Sequence, residues 1–134
     1  PDHVRVMQAL TSARDDDVQV AQVYLRHHPI DDVAELRDVA SGILQMPDSA
    51  AQARALDALG HHRLSDRETL EALTRLYPVA KSVSVQRAIA GILIRADYGQ
   101  IASPELVRAL QDHRLKSPDG RDLIDVLIRR LQVS

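Results

Sequence analysis

QARALDALGHH occupies residues 52–62, and the chain repeats its plan on either side, with VQVAQVYLRHH at 18–28 and VQRAIAGILIR at 85–95. Set over one another, Val18, Gln52 and Val85 coincide, then Ala21, Ala55 and Ala88, then Leu25, Leu59 and Ile92. The offsets are 34 and 33 residues. At about 100° per residue, Gln52, Ala55, Leu56 and Leu59 share one face of a helix. Ala50, Arg54, Asp57 and His61 share the opposite face. In the third copy the same reading buries Val85, Ala88, Ile89 and Ile92, and turns Val83, Arg87, Ala90 and Ile94 outward. The recurrent alanine has a physical reason: a methyl side chain lets the helices of adjacent copies approach closely. A period in the low thirties that holds two antiparallel helices is the mark of an α-solenoid.

Helical periodicity extends outward from these copies over the whole chain, and strand alternation is almost absent. It predicts eight helices, over residues 3–13, 16–28, 31–46, 49–62, 66–77, 82–96, 103–114 and 119–132. Ser49 with Gln52 and Ser65 with Glu68 have capping-box spacing, in which serine and the side chain three residues on satisfy each other's orphan amides. Asp32 with Glu35 is a related pairing. Ser103-Pro104 and Ser117-Pro118 place a capping serine before a proline, whose missing N–H costs nothing at a first helical position. Pro29, Pro47 and Pro78 cannot continue a helix, and Gly99 follows the sixth. Connections this short make sequential helices antiparallel. The last copy, RDLIDVLIRRLQ at 121–132, keeps the apolar stripe without the alanine, as an end repeat commonly does.

The 134 residues form one expected domain, 45% hydrophobic and 27% charged. Phe, Trp and Cys are absent and Tyr occurs three times, so the core must be built from Leu, Ile, Val and Ala. A net charge of -2 argues against a dedicated nucleic-acid binder, which carries a basic surplus on one face. Without cysteine there is neither disulfide nor thiol chemistry. No apolar run approaches the roughly 20 residues a membrane span needs, and no signal-peptide pattern is present. Those absences leave the compartment open, with the cytoplasm favoured. A start at Pro1-Asp2-His3 without an initiator methionine is expected of a fragment or processed form of a longer protein.

QARALDALG (52–60) and VQRAIAGIL (85–93), with VQVAQVYL (18–25) in part, resemble the second helix of a HEAT repeat in its short bacterial form. The resemblance covers nearly the whole chain. It implies an all-α, right-handed α-solenoid of about four antiparallel helix pairs, with the second helices lining a concave surface. The aspartate expected just before the second helix stands at Asp15 to Asp17 and at Asp48, but is replaced near Lys81 and Ser82. A ladder of aspartates between repeats is therefore expected to be incomplete.

That concave column offers Val20, Val23, Tyr24 and His27, then Arg54, Asp57 and His61, then Arg87, Ala90 and Arg95. Tyr and Arg are frequent binding anchors. The plainer alternative is a solvated face, with Arg54 and Asp57 an ordinary i,i+3 pair. The candidate partner-binding residues are Tyr24, His27, Arg54, Asp57, His61, Arg87 and Arg95.

The histidine pairs His27-His28 and His61-His62 stand 34 residues apart. Neighbours on a helix diverge by about 100°, so a pair does not chelate one ion. Successive repeats lie roughly 8–10 Å apart, whereas zinc needs ligands at about 2 Å. Helix-end histidines that suit the negative dipole end are the better reading. The carboxylates of Arg14-Asp15-Asp16-Asp17 and Asp31-Asp32 fit helix starts equally well.

No nucleophile elbow, phosphate loop, dinucleotide fingerprint or calcium loop occurs. The expectation is a non-catalytic scaffold that binds a protein or peptide partner, with no cofactor, metal or membrane. A nucleic-acid-binding solenoid and an enzyme-accessory domain with a histidine-bound metal are the alternatives.

Overall fold

The computed structural model describes residues 3–133. Among them are eight α-helices and no strand: α1 (His3–Leu10), α2 (Asp15–His27), α3 (Val33–Leu44), α4 (Ala50–Leu59), α5 (Arg67–Leu76), α6 (Val83–Arg95), α7 (Pro104–Asp112) and α8 (Leu123–Val133). Single 3-10 turns follow α5 at Tyr77–Val79 and α6 at Tyr98–Gln100.

Local side-chain chemistry starts most of these helices. Ser49 Oγ accepts from Gln52 N at 3.3 Å, Ser82 Oγ from Val85 N at 3.3 Å, and Ser103 Oγ from Leu106 N at 3.0 Å. Pro104 occupies the first turn of α7, where it sacrifices no bond. Other starts differ from the expected ones. Ser65 does not cap α5. The Asp66 carboxylate does, taking Thr69 N at 3.0 Å and the Thr69 hydroxyl at 2.6 Å. Asp32 caps α3 as expected, accepting from Ala34 N at 2.8 Å and Glu35 N at 3.3 Å. Gln52 does not reach back to Ser49; its amide donates to Ile43 O at 3.0 Å and Met46 O at 3.1 Å. Helix α8 starts at Leu123 rather than 119, because Asp122 is the residue whose carboxylate collects the amides of Ile124 and Asp125. Helix α1 stops at Leu10, and Ala13 turns the chain toward α2 with a positive φ of 67°.

The even-numbered helices pack in succession, α2 on α4, α4 on α6 and α6 on α8, while α3 packs on α5 and α1 on α2. Their shared core is aliphatic, as the composition requires, with Tyr77 its one fully buried aromatic among the described residues. The closeness of α4 and α6 shows at Gly60, where a Cβ would meet Ile92 Cγ1 at 3.1 Å. Among the described residues no helix is long and apolar enough to cross a membrane.

Burial corrects the register of the third copy. Ala90, expected on the outer column, is fully buried, and Ala88, expected in the core, is only half-buried. A uniform offset of 34 restores the match: Gln52 with Gln86, Ala55 with Ile89, Leu56 with Ala90 and Leu59 with Leu93 are all buried. The odd-numbered helices obey the same offset, with Val39 over Leu73, Ile43 over Tyr77 and Met46 over Ala80, all buried.

Candidate interaction surface

The polar side chains of the even-numbered helices reach mainly toward the neighbouring copy. Arg54 Nε donates to Asp15 at 2.6 Å, and Gln22 Nε2 to Asp57 at 2.5 Å. Arg95 Nη1 donates to Gly60 O at 2.9 Å, Lys81 N to Asp48 at 2.6 Å and Gln100 Nε2 to Ser65 O at 3.0 Å. These partners are separated by 33 to 39 residues, one period or slightly more. Asp48 thus supplies one rung of an aspartate ladder, and Ser82 in the next copy spends its oxygen on capping α6.

Several candidate residues are therefore structural bonds first. Arg54 and Asp57 do not pair with each other, because Asp15 and Gln22 on α2 claim them. Tyr24 is half-buried, and one face of its ring lies on His28, with centroids 4.4 Å apart and planes inclined by 15°. His27 is exposed. His61 is exposed and donates from Nδ1 to Asp57 O at 2.9 Å. Arg95 is exposed apart from its bond to Gly60. Arg87 lies beside Asp122, with 4.0 Å between Nε and the carboxylate, and that Nε is buried without a hydrogen bond among the described residues.

In the corrected register Arg87 falls opposite Ala53, not Arg54. The outward rows become Val20, Arg54 and Ala88; then Val23, Asp57 and Gly91; then His27, His61 and Arg95. Helix α8 continues them at an offset of 35 with Leu123, Val126 and Arg130. Val20 is 69% exposed, Val23 49% and Leu123 46%, so the ends of this face are apolar and open.

The histidines act as helix-end bonds. Nδ1 of His28, His61 and His62 each meets the carbonyl four residues earlier, at 3.3, 2.9 and 3.1 Å. Those carbonyls are among the last of their helices, where ladder bonds run out; Tyr24 O and Ala58 O also accept the amides of His28 and His61. His62 goes further. It is buried, and its Nε2 accepts the Ile30 amide at 3.0 Å, so one imidazole bridges two copies. Among the described residues, the ligand-type side chains that gather as a group of three are Asp119, Asp122 and Asp125, and no histidine belongs to it.

That aspartate cluster went unread in the sequence, where only a helix start was seen. Its signal is three aspartates at spacing three with an arginine just upstream. The Arg114 guanidinium, only 5% exposed, sits among them. It bonds Asp122 at 2.9 Å and Asp125 from both terminal nitrogens. The paired guanidinium holds the Asp125 carboxyl below the usual carboxylate range. The amides of Arg121 and Asp122 do the same for Asp119. The cation this cluster needs is already supplied by the chain. Nearby, the Tyr77 hydroxyl donates to Leu110 O at 2.8 Å, and burial pushes that phenol up to about 12.

Comparison with known family models, curated proteins and solved structures returns no match for the chain.

Proposed function

We propose that the helix pairs stack as an open, HEAT-like α-solenoid serving as a non-catalytic interaction module. Its partner is a protein or peptide lying across the outward rows of α2, α4, α6 and α8. The observation that carries this reading is the openness of the outward rows of the even-numbered helices between the bonds that join them. These rows hold the neighbouring copy through Arg54–Asp15, Gln22–Asp57 and Arg95–Gly60. At their ends they leave Val20, Val23 and Leu123 exposed. Exposed valines on a helix otherwise well patterned are the kind of apolar surface that marks an interaction site.

The test uses affinity capture from the source extract with the full chain and a Val20→Asp/Val23→Asp variant. Neither valine takes part in a bond between copies, so the variant keeps its fold, and circular dichroism checks that. Loss of the captured protein from the variant is the expected result. A partner retained equally by both chains removes the outward face as the binding surface.

A further inference from the structure

Helix α2 is the first of the second helices, and its leading flank is bare. One period after Val20 and Val23 stand Arg54 and Asp57, and those two hold the preceding helix, Arg54 through Asp15 and Asp57 through Gln22. In α8 the place of Val20 belongs to Leu123, whose Cδ1 lies 3.3 Å from where a Cβ on Gly91 of α6 would stand. This flank therefore touches the preceding second helix in α4 and again in α8. In α2, which packs on α1 and α4, the same flank carries two valines that stay exposed.

The exposed stripe of α2 reads nearly the same from either end. It runs Asp16, Gln19, Val20, Val23, Arg26 and His27, at the i, i+3, i+4 and i+7 spacing of one helix face. Its midpoint falls between residues 21 and 22. Turned end for end about that point, Val20 lies over Val23 and Asp16 over His27. The side chains of Asp16, Arg26 and His27 are engaged in no bond among the described residues. The far end of the stack is closed by contrast. Asp125 is held there by Arg114, and Arg129 donates to Gly120 O at 2.9 Å.

We propose that the leading flank of α2 is covered by α2 of a second copy of the chain, packed antiparallel about a twofold axis. The inference rests on the interaction reading above, since it takes the α2 end of the outward rows as a docking surface and names the partner there. A twofold contact is isologous, so the face must complement itself. This one does. The valines of the two copies interleave at the centre. At each end the Asp16 carboxylate of one copy meets the Arg26 guanidinium and the His27 imidazole of the other, an acidic helix start against the C-terminal turn of its neighbour. An unrelated partner gains nothing from that symmetry. Head-to-tail stacking of α8 on α2 would set the closed, polar end against the valines, and it would not stop at two copies.

Sedimentation equilibrium on the full chain, from about 10 μM to about 1 mM, measures the association. A single helix pair is a small interface, so the dimer forms with a midpoint on the order of 100 μM. Val20→Asp/Val23→Asp leaves a monomer throughout, with its circular dichroism unchanged. Asp16→Arg weakens the dimer about tenfold, because two like-charge contacts replace two attractive ones. Adding Arg26→Asp to that variant restores the contact. The paired change opposes the helix dipole at both ends, so recovery of the dimer cannot come from a steadier α2. A chain that stays monomeric across the range, that grows beyond a dimer, or whose paired variant fails to recover overturns the proposal. A monomer that still captures a protein through Val20 and Val23 overturns the second-copy assignment alone and leaves the interaction reading standing.

Discussion

Gln52 and Gln86 occupy the same place in successive second helices, 34 residues apart, and Gln86 makes three side-chain bonds where Gln52 makes two. Both donate to the carbonyl that ends the preceding first helix, Ile43 O for Gln52 and Tyr77 O for Gln86. Gln86 also donates to His113 O at 2.8 Å, and its Oε1 accepts the Leu115 amide at 3.0 Å. Position 115 less one period is 81, and there Asp48 takes the Lys81 amide instead. Gln52 Oε1 is left buried and accepts from no donor among the described residues. One residue type at one repeat position thus closes a junction fully in one copy and leaves an unpaired acceptor in the other. The lesson is that a repeated side chain has no fixed energetic value. Its worth depends on which loop the next copy brings to it.

The C-terminal junction is accordingly the one most sensitive to substitution. Arg114→Ala leaves the buried Asp125 carboxylate without its cation and Asp122 with Arg87 alone, a loss of about 3–5 kcal/mol. Urea denaturation measures it, and a loss below about 1 kcal/mol denies the junction its special weight. Gln86→Ala strands the His113 carbonyl and the Leu115 amide, at about 2 kcal/mol. Gln52→Leu is the sharpest comparison, because it removes two bonds but also an unpaired acceptor, and is expected to cost about 1 kcal/mol or less. Equal losses for the two glutamines would erase the distinction.

Tyr77→Phe forfeits one bond to Leu110 O, about 1 kcal/mol. Its pH dependence separates it from mere packing. The folded phenol sits near 12 and the unfolded one near 10, so the stability it contributes is whole below pH 10 and is lost as pH rises toward 12. The Phe variant lacks that decline. At the acid end, Asp66, Asp119 and Asp125 are all held below their ordinary values. Their contribution is present above about pH 4 and falls away as pH drops through the folded values, which a urea midpoint series detects. Asp48→Ala is the smallest change, about 0.5 kcal/mol, since the Lys81 amide it releases is near solvent.

Much of this architecture could be read from residues close together in the chain. The caps at Ser49, Ser82 and Ser103 close over three residues, and the buried stripe Ala55, Leu56 and Leu59 follows from helical spacing alone. The third copy was misread by one residue because Ala88 and Ala90 are chemically identical and both neighbour apolar residues. Contact with α4 and α8 decides which alanine turns inward. The outward rows, and hence the placing of Arg87, shifted with it.

The chain's pattern by itself determined that it is helical, where most helices begin, and that its buried faces recur with a period in the low thirties, because those depend on backbone propensity and neighbours within one turn. Tertiary structure alone decided the polar partnerships: Arg54 with Asp15 rather than Asp57, His62 with the Ile30 amide, Arg114 within the aspartates. Those choices join groups up to 39 residues apart. A long side chain with several acceptors in reach takes the one that helix packing brings within about 3 Å and shields from water.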